Sequence, residues 1–505
     1  MAPQLGPHEL LHVFSFLEPR DLLSAAQVNK VWNEVSRTKD LWRQLCLRRW
    51  SSCKASQMVL GTQTWKQYYL CRSELEFRME FGRPVDFTCK AMAGHTGSID
   101  ELAYISTDEC RFDGREKSVV CTVSSDCTVR AWDLHEGMEI WSSPQQPAAL
   151  VNLVAYPQLQ LVVTVDKQGL IKSWKAENGC ELASFCLPMH SSALEACDHP
   201  EGPFLLAACA GGNLHTLTVP QLHEVSKVPV AASVAVSLLC SPDRQWAFVS
   251  AENSDLGPEV FPQVFYTQSL LHPSEDKPPV STTLPIWLTS RSCWAPGEAA
   301  RLIVMHKNDS GTQLVVTTYE LEAKKSRERV NILVQQIASF LLPDTMMPPH
   351  LVKGHGSQVI LLGSESKLVL FTMHGLQLAA FQDHQRPITA LWVVSTMPAA
   401  HVTALRLKES TSTPHLTFHF KDPSRVITSS FDLSLRVYVW NKENEFPILK
   451  SCYHLLGGSH RWASGFTHVE SDSMSIVGVE ARSSGTGLLR SYCFRVQHSW
   501  NDGTD

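Results

Sequence analysis

The feature that most constrains this chain is an internal repeat of paired short strands. In one copy, the strand VVCTV leads through a turn at Ser125 and Asp126 into TVRAW, which ends at Trp132. Forty-two residues farther on, the pattern returns as LVVTVDKQGLIKSWK with Trp174 in the place of Trp132. A third copy, PFLLAACAGGNLHTLTV, places Leu217 there after another 43 residues. Self-similarity at a fixed period indicates stacked repeat units.

Weaker copies continue toward the carboxyl end of the sequence. A fourth is VAVSLLCSPDRQWAFVS followed by QVFYTQSL, and the later copies end near Tyr319, near Phe371, at Trp440 and near Tyr492. A period of roughly 40 to 55 residues with four short strands is that of a β-propeller blade. Since one such sheet cannot bury both faces alone, blades must pack against each other in a closed ring. We count eight blades, with seven as the alternative because the middle copies are weak.

The first copy also carries the polar residues of a known repeat. A Gly94-His95 pair precedes its first strand, and together with Thr122, Asp126 and Trp132 it resembles the WD-repeat family. The resemblance implies that His95, Thr122, Asp126 and Trp132 form a buried hydrogen-bonded chain within the blade. We interpret the four as framework, because a catalytic nucleophile needs an activated hydroxyl in a pocket and an oxyanion site. A hydrolase triad is therefore rejected.

The second copy matches the WD-repeat pattern in part. It keeps Thr164 and Trp174 but has Gln168 in place of the turn aspartate. In the family an early strand usually completes the last blade. The segment VDFTCKAM, residues 85–92, is placed for that role.

The seventh copy is longer than the others. It has Asp383-His384 where the first copy has Gly-His, and it keeps Trp440. Because Asp432 lies eight residues before Trp440 rather than six, an unusually long turn is predicted. Residues 395–423 are interpreted as an insertion within this copy.

The amino-terminal residues follow a helical period instead. Leu10, Leu11, Phe14 and Leu17 form one apolar stripe, and Pro7 suits the first turn of that helix. The residues predicted to cap three further helices are Asp21, Asn29 and Thr38. Four short helices bury too small a core to be secure alone, so we expect apolar surface to remain for a partner.

The order of these residues resembles the F-box: a proline, paired leucines, an aromatic residue, Leu-Leu, Val, Trp and a terminal Leu-Trp. The resemblance implies docking onto the Skp adaptor of a cullin–RING ubiquitin ligase. The residues implied to contact the adaptor are Pro7, Leu10, Leu11, Phe14, Leu22 and Leu23. The alternative is that these side chains are core, and the same two interpretations are open for Trp32, Leu41 and Trp42.

The segment after the F-box also reads as helix, with Trp65, Tyr68, Tyr69 and Met79 near helical spacing. A helix makes a stiff strut, unlike a Gly/Ser linker. The predicted fold class is mainly β with a small all-α amino-terminal part. The predicted domains are an F-box at 3–48, a helical linker at 49–83, a WD-repeat propeller at 84–497 and a tail at 498–505.

Composition excludes several classes of partner. The chain of 505 residues has 50 acidic and 44 basic residues, a net charge of −6, which argues against nucleic acid and anionic membranes. The longest apolar stretch, around 230–240, is shorter than the ~18 residues that a membrane span needs. No leader pattern is present, and the 15 cysteines include no C-x-x-C pair. We expect a soluble protein with reduced cysteines in the cytoplasm, the nucleus or both.

Catalytic and metal-binding motifs are missing from the sequence. It contains no G-x-x-x-x-G-K-[ST], no H-E-x-x-H and no metal-spaced Cys/His set. His415 and His419 stand four apart, but in a predicted loop or strand where that spacing does not converge on one ion. No cysteine is marked as an activated thiol. We therefore predict no catalytic residue, cofactor or metal.

The target-binding positions of related propellers carry other residues here. Several F-box propellers read phosphorylated segments through arginines, whose fork of donors matches phosphate oxygens. The corresponding positions here are Asp100, Ser125, Asn152 and Lys167, so we expect a less basic target surface. The predicted function is the substrate receptor of an SCF ubiquitin ligase, binding Skp and, through it, a cullin and a RING subunit. The alternative is an interaction scaffold whose F-box no longer recruits the ligase.

Overall fold

Among the residues that the structure describes, five helices precede a ring of β-sheet. The computed structural model describes residues 5–50, 64–107, 112, 117–230, 236–251, 261–274, 278–286, 289–296, 300–308, 310–326, 329–356, 358–394, 425–441, 448–458 and 461–496. The insertion at 395–423, with His415 and His419, and the tail at 498–505 lie outside the described residues. The helices are α1 Pro7–Phe14, α2 Pro19–Ala25, α3 Lys30–Ser36, α4 Lys39–Arg49, α5 Trp65–Phe81 and, inside the ring, α6 Thr267–Leu271.

The strands form eight four-stranded antiparallel sheets, which are the blades of a propeller. Blades 1 to 4 comprise β2 Ile99–Tyr104, β3 Val119–Ser124, β4 Val129–Asp133 and β5 Met138–Ser142; β6 Leu150–Tyr156, β7 Leu161–Asp166, β8 Leu170–Lys175 and β9 Glu181–Cys186; β10 Ser191–His199, β11 Gly202–Cys209, β12 Asn213–Thr218 and β13 Glu224–Pro229; β14 Val236–Cys240, β15 Trp246–Ala251, β16 Gln263–Tyr266 and β17 Ser281–Thr283. Blades 5 to 8 comprise β18 Thr289–Ala295, β19 Arg301–Lys307, β20 Leu314–Ser326 and β21 Arg329–Leu341; β22 Leu351–His355, β23 Val359–Ser364, β24 Lys367–Thr372 and β25 Gln377–Phe381; β26 Ile388–Val394, β27 Arg425–Ser430, β28 Ser434–Asn441 and β29 Ile448–Leu456; β30 Ala463–Ser471, β31 Ser475–Arg482, β32 Gly487–Phe494 and, as the outermost strand, β1 Phe87–Met92. The eight-bladed interpretation is confirmed and the seven-bladed one is excluded.

The ring closes through its first strand. β1 pairs antiparallel with β32 from Phe87 opposite Phe494 to Met92 opposite Leu489. The prediction that residues 85–92 complete the last blade is therefore confirmed.

The second strand of each blade explains the near-continuous apolar runs of the repeat. β7, β23 and β27 are buried at every residue, whereas four of the five residues of the outer strand β5 are exposed. A second strand lies between two neighbouring blades, so both of its faces need apolar side chains.

The linker helix packs against the propeller. Trp65, Tyr68, Tyr69 and Met79 are all buried, in one apolar cluster that also contains F-box residues and residues of β27 to β32. The hydroxyl of Tyr453 on β29 donates to the carbonyl of Met79 at 2.6 Å. α5 is therefore a fixed strut.

Helix starts and one cysteine pair differ from expectation. Asn29 caps α3, accepting from the Trp32 N–H at 2.9 Å, but α2 begins at Pro19 and Asp21 lies inside its first turn. The Thr38 hydroxyl donates to the Val35 carbonyl instead of capping α4. The sequence predicted reduced cysteines, yet a disulfide joins β10 to β14, its residues being Cys197 and Cys240.

Candidate docking surfaces on the helices and the propeller

The amino-terminal helices divide the six predicted adaptor contacts between core and surface. The buried three are Leu10, Phe14 and Leu22, at 1, 2 and 0% exposure, and the three that reach the surface are Pro7, Leu11 and Leu23. Leu10, Phe14 and Leu22 fill the helical core, which is the alternative interpretation of these positions. The Phe14 ring, for example, packs edge-on against Trp32 at 5.4 Å. Leu41 and Trp42 are also core.

Other apolar side chains of these helices remain exposed. They are Leu5, Val13, Phe16, Val28 and Val31, between 46 and 72% exposed. Exposed apolar surface on so small a unit is typical of a docking site. The sequence reasoning missed these residues. They could have been found as apolar residues that lie outside the buried stripe of their helix, as Val13 lies next to the buried Phe14.

A buried ionic cluster joins the helices to the linker. Glu76 on α5 accepts from Arg49 at 2.8 Å and from the indole N–H of Trp50, both at the end of the F-box. Arg72, one turn earlier on α5, lies 3.8 Å from the same carboxylate and 4.6 Å above the Trp50 ring. The side chains of Glu76 and Arg72 are only 14 and 9% exposed, so this joint is tied by partly desolvated charge.

The propeller has two different faces. Turns between first and second strands lie on the side of α5: the Phe112 ring is 5.7 Å from Tyr68, and Met474 is in the cluster that contains α5. Because the strands are antiparallel, the turns between second and third strands and the connections between blades lie on the opposite side. We call this opposite side the open face. It points away from the linker helix.

The predicted framework residues of blade 1 lie within hydrogen-bonding distance of each other. The Asp126 carboxylate is 2.9 Å from Nδ1 of His95, whose Nε2 is 2.8 Å from the Thr122 hydroxyl. That hydroxyl also accepts from the Trp132 indole at 2.9 Å. The His95 side chain has no exposed surface, which fits the framework interpretation.

The electrostatics fit one protonation state of this chain. Burial lowers the pKa of His95, which favours a neutral imidazole. Burial disfavours an ionised Asp126, but hydrogen bonds from Thr128, His95 and the Thr96 N–H outweigh it and lower the pKa of Asp126 to about 2. Nδ1–H therefore donates to the carboxylate and Nε2 accepts from Thr122.

Blade 7 repeats this arrangement with a different aromatic residue. His384 lies 3.0 Å from the Asp432 carboxylate and 2.7 Å from the Thr428 hydroxyl. Ten residues after Thr428, as Trp132 is after Thr122, stands Tyr438. The assignment of Trp440 to this position and the predicted long turn are wrong, because Thr428 pairs with Arg436 across the turn just as Thr122 pairs with Arg130.

Trp440 has another role, stacking on His355 of blade 6 with ring centres 4.6 Å apart. In blade 2, the Trp174 indole donates to Thr164 at 2.8 Å. The turn is held there by Asp166, which accepts from the N–H groups of Gln168 and Leu170, both at 2.9 Å.

The open face carries a pocket of about 560 Å³ between blades 6, 7 and 8. Its lining residues are Pro348, His350, Glu365, Pro387, Ile388, Thr389, Phe431 and Thr467. Seven of the eight come from the beginnings of first strands, blade connections or turns between second and third strands, and Thr467 lies in the middle of β30. The sequence reasoning missed this pocket, since its residues are spread over 120 positions.

The positions compared with phosphate-reading arginines behave as loop framework in blade 1. The Asp100 carboxylate accepts from the Ser98 hydroxyl at 3.1 Å, and the Ser125 hydroxyl accepts from the Ser98 N–H at 2.9 Å. These groups are engaged within their own loops and present no cation.

No helix in the described part of the chain is long and apolar enough to cross a membrane. Within the same residues, no group of three His, Cys, Asp or Glu side chains is arranged to hold a metal ion.

A helical module with exposed apolar side chains, joined by the helix α5 to an eight-bladed ring, defines a propeller protein of the WD-repeat class with a separate amino-terminal helical module. Comparison with known proteins narrows this class. The family model described as F-box-like matches residues 7–48. The chain is 34% identical to human F-box/WD repeat-containing protein 12 over 494 residues, which is 97% of this chain and 99% of the relative. It is 31% identical to mouse F-box/WD repeat-containing protein 15 over 498 residues, 98% of this chain and all of the relative. This chain belongs to the F-box/WD-repeat proteins.

Proposed function

We propose that this protein is the substrate-recognition subunit of an SCF-type ubiquitin ligase. In this proposal the amino-terminal helices bind a Skp adaptor, which carries a cullin and a RING subunit, and the open face of the propeller binds the target protein. The supporting observation is the exposed apolar surface of the F-box helices on the side of the propeller opposite the open face.

The protein contributes binding and orientation, and the other subunits carry out ubiquitin transfer. A rigid joint holds a bound target at a fixed distance from the ligase and raises the effective concentration of its lysines near the transferred ubiquitin. The shared core of α5 and blades 7 and 8 supports this role. The proposal places the protein in the cytoplasm or the nucleus, with its ligase partners.

Adaptor capture tests the proposal. The variant Leu11→Ala/Leu23→Ala removes two half-buried side chains from the proposed surface while leaving the core residues Leu10 and Leu22 intact. Loss of roughly 1 kcal/mol at each position corresponds to about 30-fold weaker binding of purified Skp–cullin complex.

A matched control is Phe77→Ala, which removes an exposed aromatic side chain from the linker helix, outside the F-box. It should retain adaptor binding. If the wild type binds no Skp adaptor, or if the double variant binds as well as the wild type while remaining folded, the proposal is refuted. Wild-type capture of targets but of no cullin would instead support the scaffold alternative.

A further inference from the structure

We propose that the pocket between blades 6, 7 and 8 binds a linear segment of the target in which a lysine or arginine stands next to an aliphatic or aromatic residue. This inference rests on the proposed function, because it assigns the chemistry of the target to one place on the open face.

The walls of the pocket suit an apolar side chain. Pro348 and Pro387 are exposed on two blade connections, and Phe431, 41% exposed, stands in the turn of blade 7. A pocket of about 560 Å³ is within the usual range for binding sites and admits more than one side chain. Four of its eight lining residues are apolar and offer contact area, and the four polar ones offer hydrogen-bonding groups that would orient a bound segment.

Hydrogen bonds between blades hold these walls in place. The imidazole Nε2 of His350 lies 2.6 Å from the carbonyl of Ile388, whose N–H donates to the carbonyl of Glu365 at 2.7 Å. The Thr389 hydroxyl donates to the carbonyl of Phe466 in blade 8, also at 2.7 Å. A pocket whose walls are fixed before binding loses less entropy when a segment enters.

One charge faces the pocket. Glu365 is exposed at the turn of blade 6, and its φ of +47° belongs to that tight turn. Among the described residues, none makes an ion pair or a hydrogen bond with its carboxylate. Lys367 lies two residues after Glu365 and Arg386 directly precedes Pro387, but neither residue lines the pocket. A free carboxylate beside apolar walls is complementary to a cationic side chain with an apolar neighbour, and it repels phosphate.

The probes are fluorescein-labelled peptides of ten residues in a Gly/Ser frame. Their cores are Lys-Leu, Arg-Phe, Glu-Leu and phosphoserine-Leu, and binding to the full-length protein with its Skp adaptor is followed by fluorescence polarisation. We expect the Lys-Leu and Arg-Phe peptides to bind at least tenfold tighter than the other two. Tightest binding of the phosphoserine or the Glu-Leu peptide overturns the inference.

The variants are Glu365→Lys and Phe431→Ala, with Glu136→Lys as the control. Glu136 is an exposed glutamate in the turn between the third and fourth strands of blade 1, on the linker side. Glu365→Lys should weaken binding of the Lys-Leu peptide at least tenfold. Phe431→Ala should weaken binding of both the Lys-Leu and the Arg-Phe peptide, because each carries an apolar residue. Glu136→Lys should leave the affinity for both peptides unchanged. Unchanged binding in Glu365→Lys overturns the inference.

Adaptor capture by each variant separates this inference from the proposed function. Variants that retain both Skp binding and the melting temperature of the wild type are folded and keep the receptor role, so loss of peptide binding in them supports the pocket. If the wild type captures Skp but discriminates among none of the peptides, the inference fails and the proposed function stands.

Discussion

Glu76 offers the sharpest test of the rigid joint between the F-box helices and the propeller. Glu76→Ala removes the carboxylate that accepts from Arg49 and Trp50 and lies beside Arg72. It also removes a carboxylate that lies 3.8 Å from Arg72, whose side chain is only 9% exposed. We therefore expect the interface between α4 and α5 to loosen.

The magnitude follows from the exposure of each partner. Removing one member of a buried ion pair costs about 3–5 kcal/mol. The lower end applies here, because Arg72 keeps its hydrogen bond to the Tyr68 hydroxyl at 2.9 Å and its contact with the Trp50 ring. Arg49, with a side chain 38% exposed, regains water and adds little. We estimate a loss of about 3 kcal/mol, which is a factor of about 150 in the opening equilibrium.

Hydrogen exchange measures this opening directly. Amides of α4 and α5 in Glu76→Ala should exchange about 150-fold faster than in the wild type, while those of blades 2 to 5 keep their rates. Glu80→Ala, four residues farther along the same helix at an exposed position, is the matched control and should have little effect. Equal exchange in the two variants would refute the argument that desolvated charge ties the joint.

Two further predictions concern the propeller itself. Thr122→Val removes the hydroxyl that both His95 and Trp132 contact, and calorimetry should show a free energy of unfolding lower by about 2–4 kcal/mol. The control Thr283→Val, on the exposed edge strand β17, should change it by less than about 0.5 kcal/mol. Equal effects of the two variants would contradict the framework role. Burial lowers the pKa of His355 from 6.5 to about 4. As the pH falls below 6.5, the imidazole is therefore protonated in the unfolded chain before it is protonated in the folded one. The contribution of His355 to stability is complete above pH 6.5, and about 3 kcal/mol of stability is lost as the pH drops toward 4. His355→Phe should flatten this part of the stability profile, and an unchanged profile would exclude His355 as its source.

The repeat could be predicted because each second strand must be apolar on both faces, a pattern that survives where the framework residues are lost. Blades 3 to 6 lack the complete set of four, yet blade 3 could be recognised by the apolar run PFLLAAC, which forms most of its second strand β11. Trp440 was misassigned for a related reason. The sequence comparison aligned Trp440 with Trp132 because both are tryptophans, whereas the strand register places Tyr438 at the position equivalent to Trp132.

The docking surface and the pocket could be predicted only in part. A stripe such as Leu10, Leu11 and Phe14 marks the side of a helix, but which edge of it is covered depends on how α3 packs across α1. The pocket depends on the ring bringing Pro348, Pro387 and Phe431 together, and no local pattern encodes that approach.

The pairing of β1 with β32 has a consequence for synthesis on the ribosome. The two partners are about 400 residues apart, so at roughly 5–20 residues per second β1 emerges about 20 to 80 s before the strand that covers it. During that interval a bare edge is available to other nascent chains, and such edges promote aggregation. The need for chaperones should therefore depend on the elongation rate. Loss of the last 20 residues should destabilise the protein more than their number suggests, because it removes β32 and prevents closure of the ring.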